Sequence, residues 1–207
     1  MAVPDRSIDP RILKSAKKEF LNNGFEKASL KAICDGADIT TGALYNRYKG
    51  KEDLFSALVE ETVHDLYAVL AQKNSIDAAS LSDEQLIKAW DMDEDYMLWW
   101  FEFLEQHHDG FALLLKCTEG TAYSNFQHDW VEQMTHATGK YLEEAQRRGL
   151  ADQSIDPAEL HILLTAFWTT IYEPFIHGFS WNQIKKHCRL VCRLFDWKNT
   201  LKLGNPG

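Results

Sequence analysis

Glycine and proline are scarce in this chain, eleven and five in 207 residues, and long intervals contain neither. No stretch sustains the period-two alternation of apolar and polar residues that half-buried strands need, so a β-sandwich or barrel is excluded. Cysteine is sparse too. Cys34, Cys117, Cys188 and Cys192 form no CxxC pair, which argues against a secreted disulfide framework and against a zinc ribbon, and they read as reduced thiols. Nothing approaches the roughly 20 consecutive apolar residues of a membrane helix. The opening MAVPDRSIDPRI lacks an apolar signal region behind a basic start, so the expectation is a soluble, cytoplasmic protein. Positive charge is in deficit overall, with a net charge of −9, which ordinarily speaks against a nucleic-acid partner.

The deficit is uneven. Residues 1–55 carry ten Lys and Arg against eight Asp and Glu, whereas residues 56–207 carry twelve against twenty-three, so only the first part is suited to approach phosphate. Apolar residues recur at helical spacing almost throughout, and the fold class expected is all-α with about nine helices. The first helix opens at Asp9-Pro10, carries Ile12, Leu13, Ala16, Phe20 and Leu21 on one face, and stops at Gly24. Ser29 caps a second through Ala37, and Thr40 caps a third to about Tyr48. A fourth runs from Lys51 to about Gln72, with Phe55, Val59, Thr62, Leu66 and Leu70 as one stripe.

Beyond a loop at 74–81, the Ser82/Gln85 pair has capping-box spacing for a helix reaching toward His107. Ser124/Gln127 starts another that ends at Gly149, Asp156-Pro157 one that ends at Gly178, and Ser180/Gln183 the last. The domain reading is a head at 1–50 and a body at 51–207, with 51–72 as the linking helix.

The head carries the function. Leu30, Ile33, Ala37, Ile39, Leu44 and Tyr48 are spaced to pack two short helices on the first, with Ala37 and Gly42 small enough for close backbone approach. Such a unit can push its third helix into a major groove. Ser29 and Thr40 cap helices whose free N–H groups suit phosphate, and Thr41, Gly42, Ala43, Tyr45, Asn46 and Arg47 form the outward surface. Asn and Arg can read adenine and guanine edges, Thr and Ala methyls can meet thymine, and Tyr and Lys51 can take backbone phosphate.

This segment resembles the head of the tetracycline-repressor-like (TetR) family. The residues that carry the resemblance are Gly24, Ser29, Ile33, Ala37, Thr40, Gly42, Leu44, Tyr45, Tyr48, Lys51, Glu52 and Leu54. Two positions depart from the pattern: Asp38 stands at the turn where the family usually has Gly, and Cys34 replaces a usual Ala. Asp tolerates a left-handed backbone better than most residues, so the turn survives. The resemblance implies a homodimer that binds a pseudo-palindromic operator, acts as a repressor, and is released by a small molecule held among the middle helices. It also implies a dimer interface built from the last two helices, for which Leu163, Phe167, Ile171, Ile184, Cys188, Val191, Leu194 and Phe195 are the candidates.

The aromatic and Met cluster Trp99, Trp100, Phe103, Phe126, Trp130, Met134, Phe167 and Trp168 reads either as core or as the lining of a pocket for an apolar or aromatic effector. The acids Asp91, Asp93, Glu94 and Asp95 read as a solvated face. A small metal-dependent enzyme using His, Asp and Glu residues near 91–109 is the alternative, with His107, His108, Asp109 and Cys117 its candidates. It lacks a nucleophile motif, a phosphate loop and metal-ligand spacing, so neither enzyme activity nor a metal or cofactor is expected.

Overall fold

The computed structural model describes residues 8–204, and the reading of the opening residues as lacking a signal region falls partly outside them. Among the described residues there is no strand. The helices are α1 (Ile8–Lys27), α2 (Leu30–Ala37), α3 (Thr41–Tyr45), α4 (Lys51–Ser75), α5 (Asp83–Lys88), α6 (Glu94–Gln106), α7 (His108–Lys116), α8 (Phe126–Arg147), α9 (Pro157–Ile176), α10 (Trp181–Leu194) and α11 (Trp197–Thr200), with a 3₁₀ turn at Ala78–Ser80. None is long and apolar enough to cross a membrane.

The local signals act where their chemistry requires. Gly24, at φ 71°, interrupts α1. Ser29 and Thr40 accept from the backbone N–H of Ala32 and Ala43 and so cap α2 and α3. Asp156 caps α9 with Pro157 in its first turn, and Ser82/Gln85 and Ser180/Gln183 form capping boxes on α5 and α10. Asp38 ends α2 at φ 52° and ψ 55°, a left-handed residue whose N–H bonds back into the helix.

Two expectations are corrected. The helix expected from Ser82 toward His107 is two separate pieces, α5 and α6, and a further helix, α7, follows them. After α5 the N–H groups of Trp90 and Asp91 turn back on Ile87 and Lys88, and Asp93 restarts the chain by accepting from the Tyr96 N–H. Ser124 sits in a turn instead of at a cap, and α8 begins at Phe126.

The chain divides into two compact units, the described parts of Met1–Asp65 with His107–Gln127, and of Leu66–Gln106 with His128–Gly207. The first unit takes in more than residues 1–50, because α7 packs on α1 and its Gly110 approaches Leu58 and Thr62 of α4. The unit's core holds Ile12, Ala16 and Phe20, with Ile33 and Ala37, Leu44, and Leu54, Phe55 and Val59, all buried. Phe20, Phe25 and Phe55 meet as a ring triangle with centroids 5.4–5.8 Å apart. Gly36, and not Gly42, is the close-approach residue: a Cβ on Gly36 would lie 2.4 Å from Ser15 Oγ, whereas one on Gly42 would meet only Thr40 Oγ1 at 3.9 Å.

The second unit packs α6 and α9 on α10 and centres on Trp130, which is fully buried against the rings of Tyr67, Trp100 and Trp168. Arg148 ties its loops by donating to the carbonyls of Leu81 and Ala79 and pairing with Asp83 and Glu144. The hydrogen bonds from Arg147 and Arg148 hold the Glu144 carboxyl down at about 2.

Candidate functional site

The first unit presents α3 as a short, capped and braced helix. Leu44 is fully buried beneath it, and the Thr40 hydroxyl accepts from the Ala43 N–H at 3.2 Å. Opposite Leu44 lie Thr41, Gly42, Tyr45 and Asn46, all exposed, with Ala43 half-buried beside them. The Tyr45 side chain is 54% exposed, and the side chains of Thr41, Tyr45 and Asn46 have no hydrogen-bond partner among the described residues. A methyl-bearing hydroxyl, a phenol and a carboxamide on one solvent-facing helix can accept and donate to base edges and to phosphate.

Arg47 is placed differently from expectation. Its guanidinium turns back along the helix, donating to Asp9 Oδ1 at 2.7 Å and to the Ala43 carbonyl at 3.2 Å, and only 16% of the side chain is exposed. It is a strut between α3 and the start of α1 and does not share the outward face. The cause is Asp9, which lies inside the first turn of α1 and faces α3.

Lys51 is likewise engaged within the unit. Its ammonium donates to the carbonyls of Phe25 and Glu26 at 2.9 and 2.8 Å, at the end of α1, and stands 4.9 Å above the Phe25 ring. Ser29 is exposed; its hydroxyl caps α2 and its N–H donates to Glu19. Arg11, which the sequence reading passed over, donates to the carbonyls of Ala37 and Asp38 and so fixes the turn between α2 and α3.

The metal-site candidates do not converge on one point. His107 Nε2 is 3.3 Å from Asp65, Asp109 pairs with Lys17 and with His108, and the Cys117 thiol donates to the Phe20 carbonyl at 3.2 Å. The ammonium of Lys17 holds the Asp109 carboxyl below its usual range. Among the described residues no three His, Cys, Asp or Glu side chains are grouped to hold a metal.

In the second unit a cavity of about 50 Å³ is lined by Val69, Leu70, Lys73, Met92, Tyr96, Trp100, Trp130, Met134, Thr138, Leu164, Phe167, Trp168 and Ile171. It gathers five of the eight candidate effector residues: Trp100, Trp130, Met134, Phe167 and Trp168. The other three lie elsewhere. Trp99 is 43% exposed on the outer side of α6, Phe103 is half-buried beside it with the rings stacked at 5.6 Å, and Phe126 is buried in the first unit. Lys73 and Thr138 are polar lining residues that sequence reasoning missed, whereas Tyr96 belongs to the aromatic run that the sequence already marks.

Most of the candidate interface residues are buried within the protomer. Phe167, Ile171, Ile184, Cys188 and Val191 are at most 5% exposed, Leu163 and Phe195 are half-buried, and only Leu194 is open, at 69%. The α10 stripe of Ile184, Cys188 and Val191 therefore faces the unit's own core, and the outward apolar residues are Leu190 and Leu194 on α10 and Ile162 on α9, each more than half exposed. Burial pushes the Cys188 thiol up to about 12 and raises Cys192 as well, which leaves little thiolate for redox chemistry.

Comparison with known proteins agrees with the head's geometry. Residues 12–58 match the family described as bacterial regulatory proteins, tetR family. The chain is 45% identical over 49 residues to the HTH-type transcriptional regulator UidR of Escherichia coli K12, 24% of this chain and 25% of that protein, so it spans about a quarter of the length of that relative. It is 22% identical over 166 residues to the HTH-type transcriptional repressor AcnR of Corynebacterium diphtheriae, covering 80% and 77% of the two chains. A TetR-family regulator from Bordetella parapertussis superposes with TM-score 0.61 at 14% identity over 93% and 95% of the chains. One from Streptomyces coelicolor A3 superposes with TM-score 0.60 at 18% identity over 94% and 90%.

Proposed function

We propose that this chain, whose residues 12–58 match the tetR family, is a homodimeric repressor that inserts α3 of each subunit into the major groove of a pseudo-palindromic operator and lets go when a small molecule enters the second unit. The carrying observation is the outward face of α3. Thr41, Tyr45 and Asn46 are solvent-facing and uncommitted, while the helix beneath them is fixed by the Thr40 cap, the buried Leu44 and the Arg47 strut. A rigid element with unspent hydrogen-bonding groups is what groove recognition needs.

Dimerisation is supported by Ile162, Leu190 and Leu194, apolar side chains 62%, 53% and 69% exposed on two adjoining helices. A second copy of the same surface would cover them symmetrically. Two heads must then sit roughly 34–36 Å apart to meet half-sites one turn apart, and an effector that binds one head spacing better than the other shifts the population between bound and free forms. The cavity around Trp130 is the place for that effector.

The test is a gel shift with the DNA upstream of the chain's own coding region. Sequence-selective retention that weakens steeply with salt supports the reading. Retention equal on unrelated DNA, or none at all, contradicts it.

A further inference from the structure

The cavity in the second unit is apolar apart from a few groups, and two of these are unsatisfied in a complementary way. Lys73, in the last turn of α4, lines it with its ammonium 5.5 Å from the centroid of the Tyr141 ring. The neighbouring cation, Lys140, is spent on the carbonyls of Asn74 and Ile76. No carboxylate pairs with Lys73 among the described residues, and burial together with Lys140 lowers its pKa to about 8. The second group is the Trp130 indole N–H, fully buried and without a hydrogen-bond partner among the described residues. An ammonium with no anionic partner and an N–H donor without an acceptor in one lining both suit an acceptor; the indoles of Trp90 and Trp197, away from this cavity, are left open likewise, so it is the Lys73 ammonium that carries the argument.

We propose that this cavity binds a small aromatic carboxylate, its ring among Trp100, Trp130 and Phe167 and its carboxylate against the Lys73 ammonium. An anion supplies the charge that Lys73 lacks, and a second acceptor atom is available to the indole N–H. The aromatic walls favour a flat apolar body by edge and face contacts. The free volume of about 50 Å³ admits a ring only when Met92 and Met134, both at the wall and both part-exposed, turn aside, which unbranched thioether chains do readily. Its regulatory meaning rests on the reading of this cavity as the effector site, while the binding does not.

Isothermal titration of the full-length protein with 2-naphthoate and with 2-naphthamide, its neutral counterpart of the same shape, tests the proposal. In the native protein the acid binds about tenfold tighter than the amide or better, the preference falls to near unity in Lys73→Gln, and it persists in Lys73→Arg. Unchanged circular dichroism melts show that the variants are folded. Equal affinities in the native protein, no heat from either compound, or a preference that survives Lys73→Gln overturns it. Gel shifts with the same pair separate the two readings. Naphthoate that binds without releasing DNA leaves the ligand class standing and removes the effector role; an amide that releases DNA as well as the acid keeps the effector role and removes the carboxylate.

Discussion

Gly110 in α7 faces α4 with no room for a side chain. A Cβ there would stand 2.1 Å from Thr62 Oγ1, 3.0 Å from Thr62 Cβ and 3.2 Å from the Leu58 carbonyl oxygen. Thr62 is 4% exposed, so its hydroxyl has little free space to swing into, and the carbonyl belongs to the α4 backbone. The other relief is for α7 to withdraw, against the Lys17–Asp109 pair and the Cys117 thiol bonded to Phe20. Replacing Gly by Ala inside a helix is intrinsically favourable by about 1 kcal/mol. Forcing an extra carbon into a filled core costs about 1–3 kcal/mol, and an overlap this severe lies at the upper end.

Gly110→Ala is therefore expected to destabilise the protein by about 1–2 kcal/mol net, read as a lowered urea midpoint in far-ultraviolet circular dichroism. All seven tryptophans, at 90, 99, 100, 130, 168, 181 and 197, belong to the second unit, so their fluorescence follows that unit separately. The double variant Thr62→Ala/Gly110→Ala should regain stability relative to the sum of the single changes by about 1 kcal/mol, because the closest overlap is gone. Gly110→Ala as stable as the parent, or a double variant with no coupling, would refute the packing argument.

Three further outcomes follow from particular groups. Asp38→Gly should be neutral or stabilising by up to about 1 kcal/mol, since the left-handed backbone at φ 52° suits glycine and the exposed Arg11 contact at 3.4 Å contributes little; Asp38→Val should destabilise, and equal urea midpoints for the two variants would contradict this. Leu194→Glu should convert dimer to monomer in sedimentation velocity without loss of helicity, whereas Val191→Glu, placed in the protomer's own core, should unfold the second unit; an unchanged dimer in Leu194→Glu removes that face from the interface. Glu144 and Asp152, both held at about 2, contribute stability that is present above their ordinary carboxylate range and is lost as pH falls from about 4.5 through 2. Glu144→Gln should flatten that acid limb of the melting-temperature profile, and an unaltered limb would exclude the Arg147/Arg148 pairing as its source.

The head was legible because local chemistry fixes it. A Ser or Thr cap, a glycine stop and apolar positions three or four apart specify α1 to α4 within a few residues, and the same holds for Asp156-Pro157 and the Ser180/Gln183 box. Where the sequence misled, the deciding partner lay far along the chain. Arg47 looks like a base reader until Asp9, 38 residues earlier, is seen to hold it. The two apolar stripes of α10 are equivalent as periodicity, and only tertiary packing places Ile184, Cys188 and Val191 inside and Leu190 and Leu194 outside. The break after α5 escaped notice because the apolar spacing continues across it, while the aspartates that interrupt the helix read as solvated charge. Lys73 carries no local signal, since one lysine near a helix end is ordinary until the cavity beside it is known.

Whether the outer face of α3 reads duplex DNA is decided by fluorescence anisotropy of a labelled upstream duplex against a scrambled one at fixed salt. The native protein, Tyr45→Ala and Asn46→Ala are compared, each checked by sedimentation. The account predicts selective binding by the native protein and a loss of about 1–3 kcal/mol in that preference for Asn46→Ala, with Tyr45→Ala weakening binding to both duplexes. Two variants that bind and discriminate like the native protein would contradict it.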